Sequence, residues 1–239
     1  MRGSRRLTLV TNIVLGLIVL AVGAVCFFPP GVSTAGKVSD RVYYSGNTDS
    51  RYVSLMFNVY GGAEYIPSIL DSLDRYGVRA TFFIGGCWAD DYGETVREID
   101  SRGNELANHG YFHKDQDKLS LNGNKEEISR CGDLVEMLTG KKTVLFAPPS
   151  GAYSENTVNA AEDLGYKVIM WSKDTVDWRD HDATLIYNRA TKDLAGGDLI
   201  LMHPTKETAE ALPSVLRNFA ENGFLQVPVS VNISGVEKA

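Results

Sequence analysis

Two histidines stand four residues apart in the segment ANHGYFH, at positions 109 and 113. On one helical turn, residues spaced by four point in the same direction, so both imidazoles can reach a single metal ion. The pair alone is only moderately specific, because a solvated polar turn can carry the same spacing. His109 and His113 are therefore candidate ligands of a divalent metal such as Zn²⁺ or Co²⁺.

A third histidine, His203, follows the apolar run DLILM. An imidazole there can donate a proton to a leaving group near neutral pH, although capping the next helix is an alternative role. Asp174 and Asp177, in the segment KDTVDWRD, can orient such a histidine. The simpler alternative for either residue alone is a surface aspartate that lies next to Arg179. Trp178 is either a packed aromatic residue or, at the rim of a cleft, a platform for a sugar ring.

The elements that must position these residues alternate along the chain from residue 52. Short apolar runs are followed by turns and then by amphipathic stretches with apolar residues at helical spacing. Seven strands interleaved with six helices predict a parallel sheet with crossover helices that closes into a barrel. The loops after the strands would then form the active face, where distant residues converge. The predicted strands are 52–57, 79–84, 105–107, 143–146, 167–171, 198–202 and 224–231, and the predicted helices are 64–76, 92–102, 125–138, 155–164, 183–194 and 207–222.

The first segment is typical of a membrane protein. Residues 1–6 carry three arginines, and residues 7–28 run for 22 positions without a charge. As a helix, that length crosses a hydrocarbon layer of ~30 Å, with the basic end inside. We predict a cytoplasmic tail at 1–6, a transmembrane anchor at 7–28, a linker at 29–49 and an extracytoplasmic domain at 50–239, so that the protein is single-pass in the cell membrane. A cleaved signal peptide is the competing interpretation, because Val22-Gly23-Ala24 offers small residues near a cut.

Charge and cysteine content restrict the partners and the redox chemistry. The formal net charge is −6, and the part after residue 6 has 21 basic against 30 acidic residues, a net charge of −9. This balance argues against a nucleic-acid partner, which requires a basic patch. Cys87 and Cys131 are the only cysteines after the apolar segment, so the sequence allows one disulfide and leaves its formation open.

The motifs taken together resemble a known family. NHGYFH, FAPPSG, DTVDW and LILMHP, in this order at the ends of successive predicted strands, closely resemble the carbohydrate esterase family 4 polysaccharide deacetylases, the NodB-homology domain, over about residues 50–232. The resemblance implies a distorted (β/α)7 barrel that hydrolyses N-acetyl groups of a cell-wall glycan, either peptidoglycan or a chitooligosaccharide-like chain. The flanking segment FNVYGGAEYIP looks most like the sporulation-associated branch of the family.

The resemblance also implies a role for each site residue. His109 and His113 are the implied metal ligands, and His203 is the implied general acid. Asp177 supports this acid, and the backbone N–H of Ser150 helps to hold the oxyanion. The residues implied to line the glycan groove are Trp178, Pro148 and Pro149.

The chain departs from the family pattern in two motifs. After Phe57 the family has two adjacent aspartates, a base and a metal ligand, where this chain has Asn58 and Val59. The family's arginine before Pro-Pro, which supports the base, is Ala147 here; a guanidinium without its anion would be costly in a cleft. An amide accepts no proton at neutral pH, and general-base assistance contributes ~10²–10⁴ in rate. The expected result is weakened metal binding and impaired hydrolysis.

Substitute carboxylates and a second function class remain open. Glu64 follows the same strand, and Asp90 and Asp91 follow the next one, so each could replace a missing carboxylate. The alternative for Glu64 is a favourable charge in the first turn of its helix. The alternative for Asp90 and Asp91 is a position in a solvated loop. Retention of His203 and Asp177 favours a metal-dependent amidohydrolase. Replacement of three interacting family residues favours the alternative, a non-catalytic, membrane-tethered glycan-binding pseudoenzyme.

Overall fold

The computed structural model describes residues 38–236, which form helices around one sheet of nine strands. The strands are β1 (Val42–Tyr43), β2 (Tyr52–Val59), β3 (Thr81–Ile84), β4 (Glu105–Asn108), β5 (Leu145–Phe146), β6 (Lys167–Ile169), β7 (Lys173–Asp174), β8 (Leu199–Met202) and β9 (Leu225–Gln226). The helices are α1 (Ile66–Arg75), α2 (Gly86–Asp91), α3 (Gly93–Ser101), α4 (Leu121–Thr139), α5 (Glu155–Asp163), α6 (Asp177–Asp180), α7 (Ala183–Thr191), α8 (Lys206–Glu221) and α9 (Val229–Asn232). Short 3-10 turns lie at Val38–Arg41, Ala63–Tyr65, Gln116–Lys118 and Pro149–Gly151.

All paired strands are parallel, in the order β1-β6-β5-β4-β3-β2-β8-β7, and β9 pairs with β2. This α/β arrangement fits a distorted barrel. The expected closed ring is not complete in residues 38–236, because β1 and β7 do not pair with each other. Both end strands have only 2 residues. An isolated antiparallel bridge joins Ser45, after β1, to Asp198, before β8.

Strand β2 separates two apolar layers. Successive side chains of a strand point to opposite faces of a sheet, and β2 is buried on both. Met56 packs inside the barrel with residues of β3, β8 and α9, and Asn58 shares this inner direction. The side chains on the outer face share a cluster with residues of α1 and α8, and they are Val53, Leu55, Phe57 and Val59. Val59 therefore faces the helices, not the barrel interior.

Helix α1 shows why the amphipathic stretches fold as predicted. Ile66, Ile69, Leu70 and Leu73 are buried at spacings of three and four, and burial of each side chain contributes about 1.5–3 kcal/mol. A proline in the first turn fits the helix start. Backbone N–H groups there have no partner within the helix, so the N–H that proline lacks is not missed. The chain leaves the helix through Gly77, whose φ of 65° is accessible to glycine.

Several predicted bounds differ from the structure by a few residues, and three of the differences bear on the sheet. The predicted strand 224–231 is the short β9 followed by α9, because Pro228 has no N–H for a ladder and precedes the helix as its N-cap. The predicted strand 167–171 ends at Ile169, and β7 follows as a separate strand. Val42 and Tyr43 lie within the predicted linker, yet they are buried and pair with β6, so the sheet begins before residue 50.

The predicted tail at 1–6 and the predicted anchor at 7–28 lie outside the described residues. Across residues 38–236, none of the helices combines the length and the apolar character needed to span a bilayer. The single-pass topology stays a prediction from the sequence.

The two cysteines of the folded region generate a labelling prediction. Both are free thiols; Cys87 is exposed and Cys131 is buried, with its S–H donating to the carbonyl of Ile84 at 3.1 Å. Burial raises the pKa of Cys131 to about 12, so at about pH 8 only about one part in 10⁴ is thiolate. We expect iodoacetamide to alkylate Cys87 in the folded protein and Cys131 only after unfolding, as peptide mass spectrometry would report. A peptide pair joined by a Cys87–Cys131 disulfide would contradict this.

Candidate active site

A cleft of about 310 Å³ opens at the carboxyl ends of the strands. Side chains from the ends of β2 and β7, and from the loops after β4, β5 and β8, converge there although they are distant in sequence. The lining residues are Asn58, Tyr60, His109, His113, Ser150, Trp171, Asp174, Trp178 and His203. The structure thus brings together six of the residues singled out from the sequence as site residues: Asn58, His109, His113, Ser150, Trp178 and His203.

His109 is buried and neutral. It follows β4 directly, is 1% exposed, and its Nδ1–H donates to the carbonyl of Ala147 at 2.8 Å. Burial, with a smaller contribution from His113, lowers the pKa of His109 to about 3. The Nε2 lone pair is therefore available in the cleft. A histidine that donates its other N–H to a backbone carbonyl has the usual arrangement of a metal ligand.

His113 reaches the cleft without the helical turn that the sequence predicted. Residues 109–113 form a loop, in which Gly110 and His113 have left-handed φ values of 75° and 53°. The rings of His109 and His113 are 5.1 Å apart and inclined by 70°. With metal–nitrogen bonds of about 2.0–2.1 Å, two imidazoles on one ion have centres roughly 5 Å apart. Burial lowers the pKa of His113 as well, which favours its neutral form.

Asn58 supplies a third donor atom. The residue is 3% exposed, and its Oδ1 is buried without a hydrogen-bond partner. Such an orphaned acceptor costs about 1–3 kcal/mol in a folded protein and usually has an explanation. An ion held by His109 and His113 would explain it, since amide oxygen is a metal ligand. Two neutral imidazoles and one neutral amide therefore fit a divalent metal, but they contribute no negative charge.

The carboxylates that the sequence left open as substitutes do not join this donor set. Within residues 38–236 there is no group of three or more His, Cys, Asp or Glu side chains that could hold a metal. Asp90 accepts a hydrogen bond from the hydroxyl of Tyr111, and Glu64 and Asp91 line a neighbouring groove. Val59 is fully buried among the apolar residues behind β2. The site therefore lacks an acidic ligand in the described part of the chain.

His203 and Asp177 form a hydrogen-bonded pair. Asp177 is fully buried, and its Oδ1 accepts from His203 Nδ1–H at 2.8 Å. The same carboxylate accepts the backbone N–H of His203 at 2.6 Å, the hydroxyl of Thr208 at 2.7 Å and the backbone N–H of Trp178 at 2.9 Å. Four donors compensate the buried charge and fix the imidazole. Because Nδ1 is committed to Asp177, Nε2 of His203 is the atom left for the cleft.

The other implied residues divide into two groups. Ser150 lines the cleft with a left-handed φ of 56° in its 3-10 turn, a backbone strain of the kind that clusters at functional sites. Pro148 and Pro149 are buried and are absent from the cleft lining, and their contact with a glycan stays a prediction. The reversal at Ser150 directs that residue, and not the prolines, into the opening. Asp174 accepts the N–H of Val176 and does not contact His203 in the described structure.

Tyr60 is a central residue that the sequence did not single out. Its ring lies 4.1 Å from the ring of His113, 5.8 Å from that of His203 and 6.2 Å from that of His109. Burial, and to a lesser degree Asp177, raises the pKa of its hydroxyl. The sequence could have identified Tyr60 by its position just after the end of β2, because residues that follow the strands form this face of the barrel.

Two shallower grooves flank the cleft, and Tyr60 lines both of them. One has a volume of about 450 Å³ and contains the aromatic rings of Tyr92 and Phe112. The other, of about 200 Å³, contains Trp178, which is 51% exposed, and Pro204. The three spaces adjoin through shared residues, and Tyr60 lines all of them.

Known proteins are similar to this chain in sequence and in fold. The family model described as polysaccharide deacetylase matches residues 45–169. The Bacillus subtilis protein YlxY is 33% identical over 181 residues, which are 76% of this chain and 57% of YlxY. The chain thus spans little more than half the length of that relative. The Bacillus subtilis peptidoglycan-N-acetylmuramic acid deacetylase PdaA is 27% identical over 187 residues, 76% of this chain and 71% of PdaA.

One solved structure is of particular interest for the site. BA3943 from Bacillus anthracis, described as a CE4 family pseudoenzyme, matches with a TM-score of 0.78 at 31% identity and covers 80% of this chain and 68% of that chain. A BA3943 mutant described as having restored enzymatic activity matches with a TM-score of 0.78 at 30% identity, over 80% of this chain and 70% of that chain.

The burial of His109 predicts acid sensitivity of the folded state. Its pKa is about 3 in the fold against an ordinary value of 6.5, so the unfolded chain binds the proton first as pH falls. Stability is therefore fully present above about pH 6.5 and is lost progressively toward about pH 3. In chelator-treated protein, we expect the melting temperature of the wild type to fall more steeply over this interval than that of His109→Gln.

The exposed His181 provides the matched control, since His181→Gln should follow the wild-type curve. Thermal unfolding followed by circular dichroism checks the prediction. Parallel pH curves for the wild type and His109→Gln would contradict the assignment of the acid loss to His109.

Proposed function

The chain belongs to the polysaccharide deacetylase family, and we propose that its cleft binds N-acetylated cell-wall glycan while hydrolysing the acetyl group far more slowly than a family member with a carboxylate base. The observation that carries this proposal is Asn58, which stands where the family has its base and has a buried, unpaired Oδ1. An amide takes up no proton near neutral pH. Loss of general-base assistance lowers a rate by ~10²–10⁴.

The remaining residues of the cleft would bind the N-acetyl group and protonate the sugar amine that leaves it. His109 and His113, with Asn58 Oδ1, would hold a divalent ion such as Zn²⁺ or Co²⁺, which when bound supplies Lewis-acid polarisation of the amide. His203 Nε2 would donate a proton to the departing sugar amine, and Asp177 keeps that imidazole oriented. The backbone N–H of Ser150 would stabilise the charge that develops on the acetyl oxygen.

The space around the cleft and the relatives support a glycan chain as the ligand. Two further grooves share lining residues with the cleft, which suits a chain of sugars more than a single one. Trp178 projects from the rim and presents a ring face against which a sugar can pack. The relative PdaA is named as a deacetylase of peptidoglycan, which supports peptidoglycan as the polymer bound here. The uncharged residues 7–28 support a membrane anchor that holds the domain outside the cytoplasm.

Glycan binding without any turnover is the second candidate function. It is favoured by the missing acidic ligand, since two imidazoles and an amide hold a metal less firmly than a set with a carboxylate. The relative BA3943 is described as a pseudoenzyme. The buried His203–Asp177 pair favours the first candidate, because a pure binding site has no need for an oriented proton donor.

Restoring a carboxylate at position 58 tests the proposed loss of the base. We expect Asn58→Asp to raise acetate release from a chitooligosaccharide or peptidoglycan by about 10²-fold or more in the presence of Co²⁺, because the base is regained. Asn58→Ala is the control and should not exceed the wild-type level, because alanine supplies neither a base nor a metal-binding oxygen. Ala147→Arg is made only together with Asn58→Asp. Ala147 is buried in an apolar cluster, and a guanidinium without a carboxylate partner would be destabilising there.

Val59→Asp is left out of this variant, because it would place a charge in the apolar layer behind β2. Acetate is quantified enzymatically over a matched time course. Equal release by the wild type and by folded Asn58→Asp would refute the account of the missing base.

Glycan binding is tested at Trp178. We expect Trp178→Ala to weaken retention on insoluble peptidoglycan by about 2–10-fold, since an aromatic contact contributes ~0.5–1.5 kcal/mol. Met137→Ala is the control, because Met137 is 74% exposed and lines neither the cleft nor its flanking grooves. A sedimentation assay with quantified protein measures retention. Unchanged retention by Trp178→Ala would remove this residue from the binding surface.

A further inference from the structure

Glu127 is a buried carboxylate on helix α4 that does not line the cleft. Its exposure is 4%, whereas glutamate is almost never fully buried unless it is paired. One oxygen, Oε2, accepts the backbone N–H of Tyr111 at 3.1 Å and that of Phe112 at 2.8 Å. The other, Oε1, lies 3.2 Å from the ammonium of Lys114. The carboxylate therefore binds the chain on both sides of His113.

The loop between the two imidazoles needs such an acceptor. A helical turn would satisfy its own backbone groups, but residues 109–113 are not helical. Buried N–H groups without a partner cost as much as a lost hydrogen bond. Glu127 supplies the missing acceptor for two of them, and a charged acceptor forms stronger hydrogen bonds than a neutral one. The path of the loop is thus set by a side chain that lies 14 positions beyond His113 in the sequence.

The two imidazoles differ in how they are held. His109 follows β4 directly, and its ring is tied to the carbonyl of Ala147. The adjacent Asn108 also accepts the N–H of Gly110 at 2.8 Å through its side chain. The His113 ring instead packs on Tyr60, which is itself half exposed. Anchoring by Glu127 is therefore most important for His113.

We infer that Glu127 is a positioning residue that holds His113 opposite His109 by accepting the N–H groups of Tyr111 and Phe112. The consequence for metal uptake rests on the proposed function, whereas the placement of the His113 ring does not. Gly110 contributes to the same loop through its φ of 75°, a backbone conformation that residues with a side chain rarely adopt.

The test compares Glu127→Ala and Glu127→Gln with Glu126→Ala, an exposed neighbour on the same helix. Imidazole resonances of the metal-free protein, assigned through single His→Gln variants of its four histidines, report each ring separately. Calorimetric titration with Co²⁺ reports uptake. We expect Glu127→Ala to displace or broaden the His113 signals and leave those of His203 in place.

Co²⁺ affinity of Glu127→Ala should fall by about 10–100-fold, the usual effect of losing an outer contact to a ligand. Glu127→Gln keeps an acceptor oxygen and should restore both readouts to near the wild type, and Glu126→Ala should not change them. Wild-type His113 signals in a folded Glu127→Ala protein would overturn the inference. If that variant does not fold, Glu127→Gln decides: wild-type His113 signals support the inference and displaced ones overturn it.

The two proposals fail in distinguishable ways. A wild type that takes up no Co²⁺, combined with displaced His113 signals in Glu127→Ala, would contradict the metal role and support the positioning role. Uptake by the wild type that is lost in His109→Ala but retained in Glu127→Ala would support the metal role and overturn the positioning role.

Discussion

The register of the parallel strands is the constraint on which the cleft depends. The paired residues are Val59 with Ile84, Ile84 with Asn108, Asn108 with Phe146, and Phe57 with Met202. Strands β2 to β5 therefore end at one level, and β8 ends opposite Phe57, two residues before the end of β2. The residues that follow these strands are delivered to a common rim. His109 and Ala147 come one position after paired residues and share a hydrogen bond. His203 follows Met202 and reaches the same rim.

The electrostatics of the cleft are consistent with the substitutions in the family motifs. Its floor contains a neutral imidazole at His109 and an amide at Asn58. Asp177, the buried carboxylate paired with His203, is committed to four donors, and Asp174 in the cleft lining accepts the N–H of Val176. An arginine at position 147 would lack the carboxylate that the family has at position 58, and a buried lone charge is strongly destabilising. Loss of the base and loss of the arginine therefore belong together.

Much of this arrangement was predictable from local pattern. The apolar runs and helical faces predicted most elements, and the strand-end rule predicted that His109, His113 and His203 converge. The chain's membership in the polysaccharide deacetylase family, which the motifs indicated, is confirmed. The alternation of side chains along β2 places Asn58 toward the cleft and Val59 toward the helices.

The remaining features depend on contacts that no local pattern contains. The 109–113 loop takes its course from Glu127, and a spacing of four suggested a helical turn in its place. Tyr60 lies among the histidines because the chain turns at Gly62, where a Cβ would clash with the carbonyl of Pro204. The reversal at Ser150 buries the preceding prolines, which the family resemblance implied as groove residues.

The central claim is that this cleft holds an acetylated sugar without efficiently removing the acetyl group. The most direct measurement determines both quantities in one sample: saturating wild-type protein with Co²⁺ is incubated with a chitooligosaccharide, and the bound fraction and its acetyl content are read by mass spectrometry. The account predicts a bound oligosaccharide that keeps its acetyl groups for far longer than the turnover time of an ordinary hydrolase. Loss of acetyl groups from the bound sugar at ~1 s⁻¹ or faster, a typical enzymatic rate, would contradict it.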